Sequence, residues 1–488
     1  MDLKTGIADG ELLYIIHDRR RKWLRKVIVD QEFHTDKGII RYNEIIGKAY
    51  GEMHILPPQE NKAALLKPTP SDIVINMRRE SQIIYPEDIG LILVYAGICP
   101  GMQVLEAGVG SATVTSIMAM FVGPSGHVDS FDVRDVAIKQ GVKNLTLMGV
   151  MDRCSVRFGD ICKDQLDIPL KDFIMLDLPS PWLAIPRMKS YLKPQGRICS
   201  FSPVIEQVKK VDNVFRESGF NNMIHLELVK RTWQVKPNAS RPNTPMIGHT
   251  GYLTFASNDT TPLPVNSYNS NYSPENIGFL LVYAGILPGK YILIVSDKGK
   301  QLENVISSFV GVSENSNSII TKTSEELMKQ SLSNPDSFDI VVVDNNPNFS
   351  LESVLDNIKL SGIVCGLFPT IEGSKTLLNQ MVKKQFFDIN TYELITRQIF
   401  IPKEITDTES IVLPHSGYIS LGRKVLDPYP PTPSKKPSDE KIEILIDTGL
   451  DYSEELERQG KTEKIDYANL TEEEQQMADR EYLENEKE

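Results

Sequence analysis

The sequence predicts an α/β protein in which a doubly wound, Rossmann-like parallel sheet occurs twice, with a small β-rich module at the amino end. Three observations predict it. Short apolar strands alternate with helix-length segments, a long stretch of the chain repeats itself, and a glycine turn joins the first strand of the first copy to a helix.

Alternation is clearest between residues 103 and 201. Runs at 103–107, 127–133, 172–176 and 197–201 are apolar, bounded by Gly, Pro or Asp, and separated by segments long enough for helices. Such strands belong to a parallel sheet covered on both faces. The repeat is stronger still. Residues 86–101 read PEDIGLILVYAGICPG and residues 274–289 read PENIGFLLVYAGILPG, identical at 12 of 16 positions. Matches continue with Phe121-Val122-Gly123 and Phe309-Val310-Gly311, with Arg231 and Arg397, and with His249-Thr250-Gly251-Tyr252 and His415-Ser416-Gly417-Tyr418. Five segments follow: a β-rich module over 1–70 with strands at 12–16, 26–29 and 38–42, a first α/β domain over 71–256, a Ser-, Asn- and Pro-rich linker over 257–272, a second copy over 273–426, and an acidic, mobile tail over 427–488.

Hydrophobic residues at 41% and charged residues at 24% are globular values, and the longest apolar run, 89–100, is too short for a bilayer. The amino terminus has no apolar signal-peptide core, so a cytoplasmic, membrane-free protein is expected. Five scattered cysteines with no C-x-x-C spacing point to reduced thiols and no metal site. A net charge of −12 argues against an anionic substrate only until it is divided: residues 427–488 carry −11, residues 259–426 carry −5 and residues 1–258 carry +4. The tail holds most of the acidity, so the first half remains free to bind nucleic acid.

Chemistry-bearing residues gather at strand ends. The 103–107 strand runs into Gly108-Val109-Gly110-Ser111, where glycines let backbone approach a ligand and a helix amino terminus offers free N–H groups. By itself this turn fits a plain strand-to-helix connection, a dinucleotide site or an adenosyl site. Asp132 ends the next strand, about 20 residues past the loop, placed to take ribose hydroxyls. Asp160 follows a third strand, suited to an adenine edge. Asp177 ends a fourth, across the crevice from the glycines, either as a functional carboxylate or as a cap on the next helix.

Around these residues the sequence resembles the tRNA (adenine-N1)-methyltransferases. The resemblance lies in Glu106-Ala107-Gly108-Val109-Gly110-Ser111, in Arg78-Arg79 followed by Gln82-Ile83-Ile84-Tyr85-Pro86, in Asp177-Leu178-Pro179-Ser180-Pro181-Trp182, and in Arg231-Thr232-Trp233 with His249-Thr250-Gly251-Tyr252. It covers residues 10 to 256. It implies a class I methyltransferase fold, S-adenosyl-L-methionine as donor, and N1 of a T-loop adenosine in tRNA as acceptor. The implied cofactor set is Gln82, Glu106, Gly108, Gly110, Ser111, Asp132, Asp160 and Asp177, with Asp177 and Tyr85 at the reacting centre. Two positions depart from the family: Ala112 stands where glycine is usual and Asp132 where Glu is common, and both should weaken donor binding.

Methyl transfer from a sulfonium needs approach geometry more than a base, but attack by adenine N1 makes the ring cationic, so a carboxylate beside it would stabilise the developing charge. Asp177 is the candidate. His249 reads as a structural histidine. The acceptor base must be turned out of folded RNA while cations hold its phosphates. The densest cationic run is Arg19, Arg20, Arg21, Lys22, Arg25 and Lys26 around Trp23, and Arg78, Arg79 and Arg231 are further candidates, although such runs are often solvated faces.

At an offset of 188, Glu106, Gly108 and Gly110 become Ile294, Ser296 and Lys298, so the second copy should not bind the cofactor. Asp344 matches Asp177, but the tryptophan is gone. The family forms symmetric tetramers or pairs a catalytic subunit with a cofactor-free relative. The expectation here is therefore an internal pseudo-dimer that forms homo-oligomers or joins a related methyltransferase subunit. The competing functions are protein carboxyl methylation at isoaspartate and a non-catalytic tRNA-binding subunit.

Overall fold

The computed structural model describes residues 6–79, 82–236, 239–267, 272–298, 300–311, 318–329, 332, 337–346, 349–401, 409–412 and 417–426. The proposed tail, His415, and Pro347 with Asn348 lie outside them.

The amino-terminal module is an antiparallel four-stranded sheet ordered Lys22–Lys26, Leu12–Ile16, Asn61–Leu66, Met53–Leu56, beside a hairpin of Glu32–Thr35 and Gly38–Arg41. The strand expected at 26–29 forms earlier, at Lys22–Lys26. The cause is the turn: the Asp18 carboxylate accepts the N–H groups of Arg20 and Arg21, each at 2.8 Å, and reverses the chain directly after Ile16. Helix Pro70–Asn76 follows, closed by a capping box in which Thr69 and Asp72 satisfy each other's backbone N–H groups.

One 15-stranded sheet then runs through the rest of the described chain. From one edge its order is Cys154–Phe158, His127–Asp132, Gln103–Ala107, Lys171–Leu176, Leu192–Ser202, Tyr252–Ser257 and Asn221–Gln234. The first five are parallel, Tyr252–Ser257 runs antiparallel to them, and Asn221–Gln234, antiparallel to Tyr252–Ser257, restores the first direction at the edge of this half. Mirroring them come Phe387–Phe400, Tyr418–Arg423, Ile358–Phe368, Phe338–Asp344, Ile292–Ser296 and Ile319–Lys322. The second half thus repeats the first half's order, and among the described residues no strand matches Cys154–Phe158. Helices Pro86–Ala96, Thr113–Val122, Pro274–Tyr283 and Gln301–Val310 share one core that continues across both halves, while Ile205–Glu217 packs on the opposite face.

The halves meet about a pseudo-twofold axis. Asn221–Gln234 pairs antiparallel with Phe387–Phe400, setting Glu227 opposite Arg397 and Arg231 opposite Glu393. Two reciprocal ion pairs result, at 3.3 and 3.6 Å. Above them the repeated helices cross at their shared glycines, where a Cβ on Gly90 would lie 2.7 Å from the Gly278 backbone and one on Gly278 only 2.5 Å from Gly90.

The amino-terminal module also docks on the second half. Lys22 pairs with Asp388 at 2.8 Å, and Arg423, almost fully buried, reaches Asp72 at 2.6 Å. The described part of 257–272 is packed as well as connecting, with Leu263 and Tyr272 buried. Among the described residues no helix is long and apolar enough to cross a membrane.

Candidate active site

The parallel strands change winding direction between Gln103–Ala107 and Lys171–Leu176, and an open α/β sheet binds ligands outside the carboxyl ends at such a point. From the first of these strands Gly108 turns at φ +94°, Gly110 at +51° and Ala112 at +57°. Gly108 must be glycine: a Cβ there would sit 2.0 Å from the Asp177 carbonyl oxygen. Ala112 adopts a left-handed conformation that costs a residue with a Cβ about 1–2 kcal/mol, which gives glycine a physical advantage at this position.

Three carboxyl groups, Glu106, Asp132 and Asp177, lie at this loop, and Asp160 lies apart from them. Glu106 is buried beneath it, its Oε2 accepting from the hydroxyls of Thr115 and Ser130. Burial pushes its pKa to about 8; the two hydroxyls oppose that rise, and Asp177 and Asp132 add to it. Asp132 accepts the Gly110 N–H at 3.2 Å and a forked contact from Arg134, with Nε at 3.1 Å and Nη2 at 3.1 Å. Burial alone would raise its pKa, but the hydrogen bonds from Arg134 and Gly110 hold it below the usual carboxylate range. Asp177 is partly buried, with its N–H bonded to the Ala107 carbonyl at 2.9 Å. Burial lifts its pKa to about 6 against the pull of Arg134. The short helical turn Pro181–Leu183 after it has no side-chain cap, so the helix-cap alternative for Asp177 finds no support there. Asp160 instead closes its own turn, accepting the Cys162 N–H at 2.9 Å and pairing with Lys163 at 3.0 Å, mainly through which its pKa is lowered.

Glu106, Gly108, Gly110, Asp132 and Asp177 are therefore brought together, and their arrangement suits an adenosyl ligand: half-buried glycine backbone beside an ionised carboxylate on the neighbouring strand. Arg134 now occupies that carboxylate, but its side chain is 56% exposed and can move to solvent. Ser111 is buried in the loop, Gln82 is exposed, and Tyr85 stands at the amino end of helix Pro86–Ala96.

The cationic run does not form a single face. Arg19 and Arg20 are exposed at the turn, Arg21 is held by Asp18 and Asp36, Lys22 by Asp388, and Arg25 lies over the Phe33 ring at 4.2 Å. Side chains alternate across a strand, and this alternation divides the run. Arg78 is exposed, Arg79 donates to the Ile75 carbonyl, and Arg231 sits in the interface ion pair with Glu393. Both ring nitrogens of His249 are satisfied, by Glu227 at 2.8 Å and the Pro203 carbonyl at 2.9 Å, as a structural histidine requires.

Sequence reasoning missed Arg134, although a cation two residues past a strand-end Asp is a local signal. It also missed Phe158, which is aligned with Asp132 across the sheet and 67% exposed at the same rim. In the second half the equivalent crevice is filled: Asp344 accepts from Tyr272 at 2.6 Å and Ser296 at 2.7 Å, while Lys298 lies 5.7 Å over the Tyr272 ring.

A parallel sheet with an antiparallel return, a glycine loop at the switch point and an acid at the end of the neighbouring strand together define a class I S-adenosylmethionine-dependent methyltransferase fold. A family described as tRNA methyltransferase complex GCD14 subunit matches residues 62–241. A tRNA (adenine(57)-N(1)/adenine(58)-N(1))-methyltransferase TrmI of Methanocaldococcus jannaschii is 32% identical over 275 residues, covering 51% of this chain and 95% of the relative. With that match, the chain belongs to the tRNA (adenine-N1)-methyltransferase family. The tRNA (adenine(58)-N(1))-methyltransferase catalytic subunit trm61 of Schizosaccharomyces pombe is 31% identical over 243 residues, 48% of this chain and 67% of that protein. Among solved structures, a SAM-dependent O-methyltransferase from Thermotoga maritima aligns with a TM-score of 0.49 at 29% identity, over 53% of this chain and 96% of that one.

Proposed function

We propose that this chain methylates N1 of a T-loop adenosine in tRNA, at position 58, with 57 as a second target as in the name of the archaeal relative. The observation that carries the reading is the convergence of the glycine loop, Asp132 and Asp177 at the switch point of the first half. S-adenosyl-L-methionine, when bound, supplies an activated methyl group. Asp132 accepts the ribose hydroxyls once Arg134 swings away, and Gly108 and Gly110 leave room for the ligand beside their backbone. Gln82, Ser111 and Asp160 complete the cofactor pocket. Asp177 faces the acceptor, where its negative charge offsets the cation forming on the ring, and Tyr85 orients the base from the opposite rim. Arg19, Arg20, Arg25 and Arg78 are exposed and contact tRNA phosphates. Arg21, Lys22, Arg79 and Arg231, already engaged within the protein, contribute only by releasing their partners.

In this reading the second half is a cofactor-free copy that braces the first and extends the tRNA-holding surface. The chain acts as an internal pseudo-dimer that pairs with another copy or a related subunit.

The test is incubation of the full chain with labelled donor and unmodified tRNA. Label should appear in N1-methyladenosine; label in protein, or none, overturns the assignment. Asp177→Ala should bind the donor within a few-fold of wild type and lose transfer. Because Asp177 must be ionised to act and titrates at about 6, the wild-type rate should fall as pH drops through that value.

A further inference from the structure

The helix after the acidic strand, Asp135–Leu147, does more than cover the sheet. Gly141 lets it press on the glycine loop: a Cβ there would meet Val109 Cγ1 at 2.6 Å. One turn further on, Asn144 is 3% exposed, and its amide nitrogen donates twice, to the Ser111 carbonyl at 2.8 Å and to the Arg78 carbonyl at 3.0 Å. Those carbonyls belong to separate parts of the site. Ser111 is in the loop under the proposed donor, and Arg78 begins the segment leading to Gln82 and Tyr85. Gln140, four residues earlier on the same helix face, is also buried and donates to Asn144 Oδ1 at 2.9 Å, which fixes which end of the amide faces the two carbonyls.

We infer that Asn144 is a positioning residue for methyl transfer: one side-chain amide ties the Arg78 carbonyl to the Ser111 carbonyl of the glycine loop and holds both walls of the donor pocket in register. This rests on the proposed donor site. Both donor hydrogens and the acceptor oxygen are used, so losing the side chain removes the buried hydrogen bond to Ser111 and the part-buried one to Arg78 together. Aspartate cannot replace it, because an ionised carboxylate donates nothing. The Gln140–Asn144 pair makes the geometry intolerant of a simple rotamer change.

The test compares Asn144→Ala and Gln140→Leu with the wild-type full chain, using S-adenosylhomocysteine binding by calorimetry, initial rates on tRNA and hydrogen exchange. Losing one or two of these hydrogen bonds should weaken S-adenosylhomocysteine binding and raise KM for the donor about 5- to 100-fold in Asn144→Ala, and less in Gln140→Leu. Because the same amide holds the Arg78 carbonyl, and Arg78 and Tyr85 serve the acceptor in the proposed function, KM for tRNA should rise as well, by less than KM for the donor. Exchange at amides 82–85 should accelerate while amides in Leu192–Ser202 stay protected, a pattern that general loosening of the fold would not give. Wild-type donor affinity in both variants, or equal acceleration in that core strand, overturns the inference. If Asn144→Ala does not fold, the folded Gln140→Leu variant decides on the same readouts. A wild-type chain that binds no donor and modifies no tRNA refutes the functional assignment instead, so the two failures are distinguishable.

Discussion

At the scale of single residues, the crevice shows how burial sets a carboxyl group's role. Glu106 lies beneath the loop with its pKa at about 8, far above the ordinary 4.5, and burial is the principal cause. The folded chain therefore holds this proton across pH values at which the unfolded chain has lost it. Stability contributed by the group is complete below pH 4.5 and declines as pH rises toward 8, by at most about 1.4 kcal/mol per pH unit. Glu106→Gln keeps the hydroxyl contacts without an ionising group. Urea midpoints taken between pH 5 and 8 should slope less for this variant than for wild type; parallel slopes would exclude Glu106 as the source. Most of this site could be read from sequence, because Glu106, Gly108, Gly110, Asp132 and Asp177 all sit at strand ends. The hydroxyl partners that bear on Glu106, Thr115 and Ser130, could not, because hydroxyls carry no spacing signature, whereas Arg134, two residues past Asp132, left a local signal that was missed.

At the scale of elements, the crossing of helices Pro86–Ala96 and Pro274–Tyr283 depends on two hydrogen atoms. Gly90→Ala gains about 1 kcal/mol of helix propensity but places a methyl against the backbone of Gly278, which cannot rotate away as a side chain would. The clash should win. A net loss of at least about 1 kcal/mol is expected in denaturant unfolding, and a stabilised Gly90→Ala would show that the helices have room to separate. The repeat made this glycine pair visible in sequence, but not that the two glycines face each other. The basic run shows the opposite limit: as a string it looked continuous, and strand alternation together with Asp18, Asp36 and Asp388 divided it.

For the whole molecule, the charged cluster between the amino-terminal module and the second half is decisive. Arg423 holds Asp72 at 2.6 Å and lies 3.8 Å from Asp388, which in turn takes Lys22. Arg423→Met would leave the buried Asp72 carboxylate without its cation and the partly buried Asp388 with Lys22 alone, a loss of about 3–5 kcal/mol for breaking such a cluster on one side. The denaturant midpoint should drop accordingly, and adding Asp72→Asn should recover part of the loss, since a neutral amide needs no counter-charge. If Arg423→Met costs under about 1 kcal/mol, the module is held by its apolar contacts alone.

Local and repetitive features were legible in the chain before any fold: strands with their bounding Gly, Pro and Asp, the glycine loop at a strand end, and a sixteen-residue stretch that recurs with 12 identical positions. These are legible because strand period, turn chemistry and identity are properties of neighbouring residues. Long-range packing set the rest: the two halves of the sheet join edge to edge through reciprocal Glu–Arg pairs, the first module rests on the second half, and Tyr272, Ser296 and Lys298 gather around Asp344. Those outcomes depend on groups far apart in the chain meeting with matched charge and volume, which no local pattern records.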